Sequence, residues 1–128
     1  LGRLWEYWRP LDTDELQQLA TCPYVTLGAH GTTHADLATQ TPEVVRDELA
    51  TGQQWLESTI GRRVDLLAWP FGRATREGVE VARRLGFRYQ LLGDSITPTT
   101  DADLHGRLTM NPFVSWRVAA WALLQGAW

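Results

Sequence analysis

Apolar residues recur along this chain at helical spacing, then in short alternating or unbroken runs, then at helical spacing again. Asp12 with Glu15 three residues on has the form of a capping box, and Leu11 and Leu16 hold the two positions of a hydrophobic staple. These predict a helix over 11–20, with Pro23 ending any continuation. Val25 and Leu27 alternate with Thr26 and Gly28, which predicts a strand over 24–29. Thr41-Pro42-Glu43 then opens a second helix, with a capping hydroxyl, proline in the first turn and an acid beside it. Val45, Leu49, Gly52, Leu56 and Ile60 line one face of it, and Gly61 supplies the stop.

Residues 66–69 form an unbroken apolar run closed by Pro70, as suits a parallel strand buried on both faces. Pro70-Phe71-Gly72 makes the following loop. Thr75 caps a third helix with Val81, Ala82 and Leu85 inward, and Gly86-Phe87 has the form of a Schellman ending. A strand is expected over 88–92, a loop over 93–106, a short strand over 108–111, and a last helix capped by Ser115 and ended by Gly126. Strand alternating with helix means βαβ units and a parallel sheet. Residues 1–10 have no clean period.

Composition narrows the function classes. The 128 residues give room for one domain, and 44% apolar with 21% charged residues describes a globular protein. A net charge of −3 and the lack of a basic run argue against a nucleic-acid surface. No apolar run approaches a transmembrane segment, and no signal peptide is evident; with Leu1 as first residue, the compartment stays unknown. The one cysteine, Cys22, excludes an internal disulfide. Seven tryptophans are many for this length. Core and interface packing is the simpler use for them, while some of Trp5, Tyr7, Trp8 and Trp69 would suit stacking against sugar rings.

The candidate chemistry sits where two predicted strands end. His30 and His34 are separated by three residues and follow the 24–29 strand. Two neutral imidazoles can grip one metal ion if the loop between them curls by a turn. On spacing alone, two surface histidines explain the pair equally well. The motif differs from the His-Glu-x-x-His helix of zinc proteases, because position 31 is Gly and Gly31, Thr32 and Thr33 are poor helix formers. A loop at the C-terminal end of a parallel strand is also where barrel and open α/β proteins place function. The Pro70-Phe71-Gly72 turn, just past the next strand, can present a backbone N–H that no ladder uses.

Taken together, Gly28 to Leu37 and Leu67-Ala68-Trp69-Pro70-Phe71-Gly72 resemble the polysaccharide deacetylase family, the NodB-homology domain of carbohydrate esterases. That family carries a His-Ser/Thr-x-x-His motif after one strand and Phe-Ala-Tyr-Pro-Phe/Tyr-Gly after another. Leu85-Gly86-Phe87 and the stretch 11–20 are also similar to it. The resemblance implies an α/β fold, a partial (β/α) barrel of the NodB type. It implies that His30 and His34 bind a divalent metal, commonly zinc, and that the metal activates water against the acetyl group of an acetylated glycan. It implies an oxyanion donor in the Phe71 N–H beside Pro70, with Trp69, Phe71 and Gly72 lining the substrate.

Three departures accompany the resemblance. Gly31 stands for Ser/Thr, Ala35 for Pro, and Ala68 where many members have an arginine that holds the base. The family's Thr-Phe-Asp-Asp-Gly motif, source of the base and third ligand, is absent; Asp12 and Asp14 read as helix caps. A late Leu-x-His motif is not matched either, and His105 reads as a loop residue. Arg107 resembles a subgroup that lacks the late histidine. The chain is therefore expected to be the C-terminal part of one deacetylase domain, 1–128, with the aspartate strand upstream, and to be inactive alone. A non-catalytic glycan-binding relative and another C–N amide hydrolase of the same superfamily are the alternatives.

Overall fold

The computed structural model describes residues 9–93 and 102–107. Helix α1 spans Thr13–Thr21, and Asp12 and Glu15 close the capping box reciprocally. Leu11 is 55% exposed, whereas Leu16 packs on the core, so the predicted staple residue lies largely in solvent. Helix α2, Pro42–Ile60, is capped by Thr41 and ended by left-handed Gly61. Helix α3, Arg76–Arg84, is capped by Thr75. Its end is a Schellman pair: the Phe87 N–H reaches Ala82 O at 3.1 Å and the Gly86 N–H reaches Arg83 O at 2.9 Å.

Three parallel strands stand side by side in chain order: β1 (Leu66–Ala68), β2 (Tyr89–Leu91) and β3 (Leu104–His105). The chain before the histidines joins β1 through a single parallel bridge, Ala29 to Leu67, with Ala29 N–H to Leu66 O at 2.8 Å and Ala68 N–H to Ala29 O at 2.9 Å. The strand expected over 24–29 is therefore reduced to one bridge. Its alternation survives as alternating burial of Val25, Leu27 and Ala29, but only Ala29 comes into register with the three-residue β1. The loop expected over 93–106 contains β3. Gln90 N–H to Asp103 O and Leu92 N–H to His105 O, both 2.8 Å, draw this two-residue segment onto the free edge of β2, and two residues carry no readable period. The strand expected over 108–111 and the helix from Ser115 lie outside the described residues.

Helices and sheet share one core, with Leu37, Leu49, Leu67, Trp69, Ala82 and Phe87 almost wholly buried. Two buried glutamines tie it together. Gln53 donates to Val64 O at 2.8 Å, and Gln90 accepts from Trp69 Nε1 at 3.1 Å while donating to Val79 O at 3.3 Å. Each satisfies backbone or ring groups that would otherwise be buried without partners. No helix among the described residues is long and apolar enough to cross a membrane.

The register fixes what the opposite face of the sheet presents. Side chains alternate along a strand, so Leu67 and Gln90 point into the helical layer while their neighbours point away. Ala68, Leu91 and His105 are aligned across the three strands and share that other face. Such a chain-ordered parallel sheet, with helices on one side and strand C-termini at one end, is the arrangement of a (β/α) barrel segment.

Candidate active site

The two predicted strand ends meet. The His30 and His34 rings lie edge-to-face with centroids 4.8 Å apart. The Phe71 ring packs edge-to-face on His34 at 4.9 Å. His30 Nδ1 lies 2.7 Å from Ala68 O. A carbonyl only accepts, so Nδ1 carries the hydrogen and the neutral ring keeps its lone pair on Nε2. The tautomer a metal ligand needs is thus set by the end of the neighbouring strand.

Backbone conformation concentrates at the same place. His34 (φ 59°) and Phe71 (φ 55°) are the non-glycine residues with positive φ among those described, and each faces the other. Such conformations cost about 1–3 kcal/mol each and persist only where surroundings enforce them. Phe71 is enforced by the turn Pro70–Gly72, in which the Gly72 N–H returns to Trp69 O at 2.9 Å. Gly72 in turn lies flat against Gly93, whose N–H donates to Gly72 O at 2.8 Å. Among the described residues no acceptor takes the Phe71 N–H, and the side chain is 60% exposed. Pro70 is buried beneath it.

The histidine loop is held from α2. Glu48 accepts the Thr32 and Thr33 N–H groups on Oε2 at 3.0 and 2.9 Å and the Thr33 hydroxyl on Oε1 at 2.8 Å. Burial raises the Glu48 pKa, but these three donors together outweigh it and leave the carboxyl below its ordinary range. The loop is tied to the Pro-Phe-Gly turn as well, by an ion pair of Arg73 with Asp36, and the Asp36 carboxylate also caps the turn at Leu37–Thr39 by accepting the Ala38 N–H. Asp36, the nearest acid to the histidines in sequence, is thus engaged in holding the loop.

Trp69 departs from its expected place. Its ring is fully buried, packs toward Gly78 on α3 and donates to Gln90, so it offers no face to a sugar. The apolar run that predicted a strand buried on both faces put the ring on the helical side. His105, expected in a loop, stands on β3 in line with Ala68 and exposed, its ring 6.1 Å from that of Tyr89. Arg107 donates to Leu92 O at 2.9 Å and to Trp69 O at 3.5 Å, so it binds the ends of β2 and β1. Among the described residues no group of three or more His, Cys, Asp or Glu gathers around the histidine pair.

Parallel strands in chain order, with helices on one face and a histidine pair beside a Pro-Phe-Gly turn at the strand ends, define an α/β protein of the (β/α)-barrel kind. The sequence profile described as polysaccharide deacetylase matches residues 2–90, and the chain belongs to that family. No curated protein sequence matches it significantly. Among solved structures it resembles the deacetylase PplD of Streptococcus pyogenes, in complex with acetate, at a TM-score of 0.79 and 16% identity, covering 90% of this chain and 51% of that one. It resembles a de-N-acetylase from Aggregatibacter actinomycetemcomitans at 0.75 and 12%, covering 88% and 53%. IcaB from Ammonifex degensii follows at 0.74 and 22%, covering 87% and 52%. The chain spans about half the length of these three structures.

Proposed function

We propose that the chain carries half of the active site of a metal-dependent hydrolase that removes N-acetyl or O-acetyl groups from a polysaccharide or amino sugar. The observation that carries this reading is the meeting of His30, His34 and the Phe71 turn at adjoining strand ends, two imidazoles 4.8 Å apart with an aromatic turn packed on the second. The ligand atoms suit a divalent metal, zinc first, because imidazole nitrogen is a good zinc ligand and His30 already has Nε2 free. A catalytic zinc takes about three protein ligands, so the pair requires one more. On this reading a carboxylate from a strand upstream of Leu1 supplies it, with the general base, and residues 1–128 are one domain's C-terminal part.

His30 and His34 would hold the ion. When bound, it would polarise the acetyl carbonyl and lower the pKa of a water to about 7. The Phe71 N–H would donate to the carbonyl oxygen as negative charge develops there, a contact that strengthens in the transition state. Gly72 and Pro70 keep that donor in place, and the Phe71 ring rests on His34. The acetylated glycan is the substrate class; Phe71 and Gly72 would line its acetyl group.

Zinc titration with acetate-release assays on the full-length protein tests this. His30→Ala and His34→Ala should each weaken zinc binding by at least about tenfold and abolish acetate release from N-acetylated oligosaccharides. Wild-type release of acetate that survives both substitutions would sink the proposal. Zinc binding with no acetate from any acetylated glycan would favour the second reading, a glycan-binding relative without catalysis. Ala68, in place of the arginine that many relatives use to hold the base, is the feature that speaks for it.

A further inference from the structure

We infer that Glu48 is a positioning residue for the two histidines, acting through the three residues between them. This rests on the proposed role of His30 and His34. Glu48 lies on α2, 14 positions after His34, yet its side-chain bonds go to the histidine loop. One carboxylate oxygen takes two successive backbone N–H groups, those of Thr32 and Thr33, and the other takes the Thr33 hydroxyl. The main-chain oxygen of the same residue accepts the Thr32 hydroxyl at 2.8 Å. Among the described residues Glu48 has no ion-pair partner, so these donors satisfy its charge.

The consequence for the histidines is geometric. Gly31 (φ 79°) and His34 (φ 59°) are both left-handed, and Thr32 and Thr33 stand between them. Two left-handed residues three apart turn the chain sharply, and the segment between them has no strand or helix ladder to fix it. Glu48 supplies that fixation by gathering consecutive N–H groups on one oxygen. One helical turn further on, a Cβ on Gly52 would come within 2.8 Å of Gly31 O, so the loop lies directly on the helix backbone there. The helix thus sets the depth of the loop at Gly52 and its orientation at Glu48. Charge-assisted bonds from a carboxylate to backbone N–H are about twice as strong as neutral ones, which suits a part that must hold a left-handed histidine.

The test uses the full-length protein with Glu48→Ala, Glu48→Gln and a control, Glu57→Ala. Glu57 is on the same helix and accepts the Val64 N–H at 2.8 Å, away from the histidines. Glu48→Gln keeps an oxygen for the Thr32 and Thr33 N–H groups, and the Thr33 hydroxyl can rotate to accept from the new amide. Zinc affinity should fall about 10- to 100-fold in Glu48→Ala, be restored to within a few-fold in Glu48→Gln, and stay at the wild-type value in Glu57→Ala. Amide exchange at Thr32–His34 should quicken, and the His34 ring resonances shift, in Glu48→Ala alone. Wild-type affinity in Glu48→Ala, or equal losses in Glu48→Ala and Glu57→Ala, overturns the inference. If the wild type takes no zinc, the proposed metal role fails. Exchange and ring resonances then still decide, and unchanged values in Glu48→Ala overturn the positioning role.

Discussion

At the scale of single residues, the site is built from unusual backbone positions held by ordinary contacts. His34 and Phe71 pay for left-handed conformations by facing each other, and each is fixed from below, by Glu48 and by Gly72. Gly72 is the tightest of these supports. A Cβ there would lie 2.2 Å from Gly93 Cα and 2.4 Å from Gly93 N, contacts with backbone that no side-chain rotation relieves. Gly72→Ala should therefore destabilise the fold by about 2 kcal/mol or more, from strain at φ 66° plus the clash. Urea unfolding checks it: an unchanged midpoint and slope would show that the turn has room to move. The two motifs were legible in the sequence because histidine and Pro-aromatic-Gly are chemically distinctive. Glu48 was not, because one more acid on the polar side of a helix has no signature of its own.

At the scale of elements, capping residues specified helix ends well and pairing specified strands poorly. The Asp12–Glu15 box, Thr41, Gly61, Thr75 and Gly86 all act within one turn of chain, so sequence shows them directly. The box at α1 is reinforced by Arg9, whose Nη1 donates to Glu15 Oε2 at 2.7 Å. The hydrogen bond from Arg9 and then that from the Asp12 N–H hold the Glu15 carboxyl down to about 2, against an ordinary 4.5. The folded chain therefore binds this proton less readily than the unfolded one. Its contribution to stability is complete above about 4.5 and is lost as pH falls through about 2. An NMR titration should give Glu15 a midpoint near 2, with Asp12 amide protection lost over the same range; a midpoint above 4 would mean that the box is open in solution. β3 and the single bridge at Ala29 depend instead on residues distant in sequence, and no local pattern announces them.

At the scale of the whole molecule, the described strands stand in chain order with the two histidines and the Phe71 turn at one end, and the proposed metal role needs one ligand more than this pair. The sheet has β3 on one side and the bridged residue Ala29 on the other. On the proposed reading, acetate release should be undetectable with the 128-residue chain, even with zinc added, and appear only when a strand carrying the proposed carboxylates is present. Activity in the isolated chain would show that a carboxylate within it serves as base, and Asp36 would then have to leave Arg73.

The sequence by itself determined the three described helices, their ends and the parallel α/β class, because each of these is written in periodicity or capping over a few residues, and the family through the resemblance of its two motifs. Only the tertiary structure decided that Trp69 packs inward, that His105 belongs to a strand in line with Ala68, that Ala68 O sets the His30 tautomer, and that Glu48 grips the histidine loop. Those four facts depend on register and on which helix face meets which loop. Such relations are fixed by packing between segments more than ten residues apart, where the chain carries no local signal.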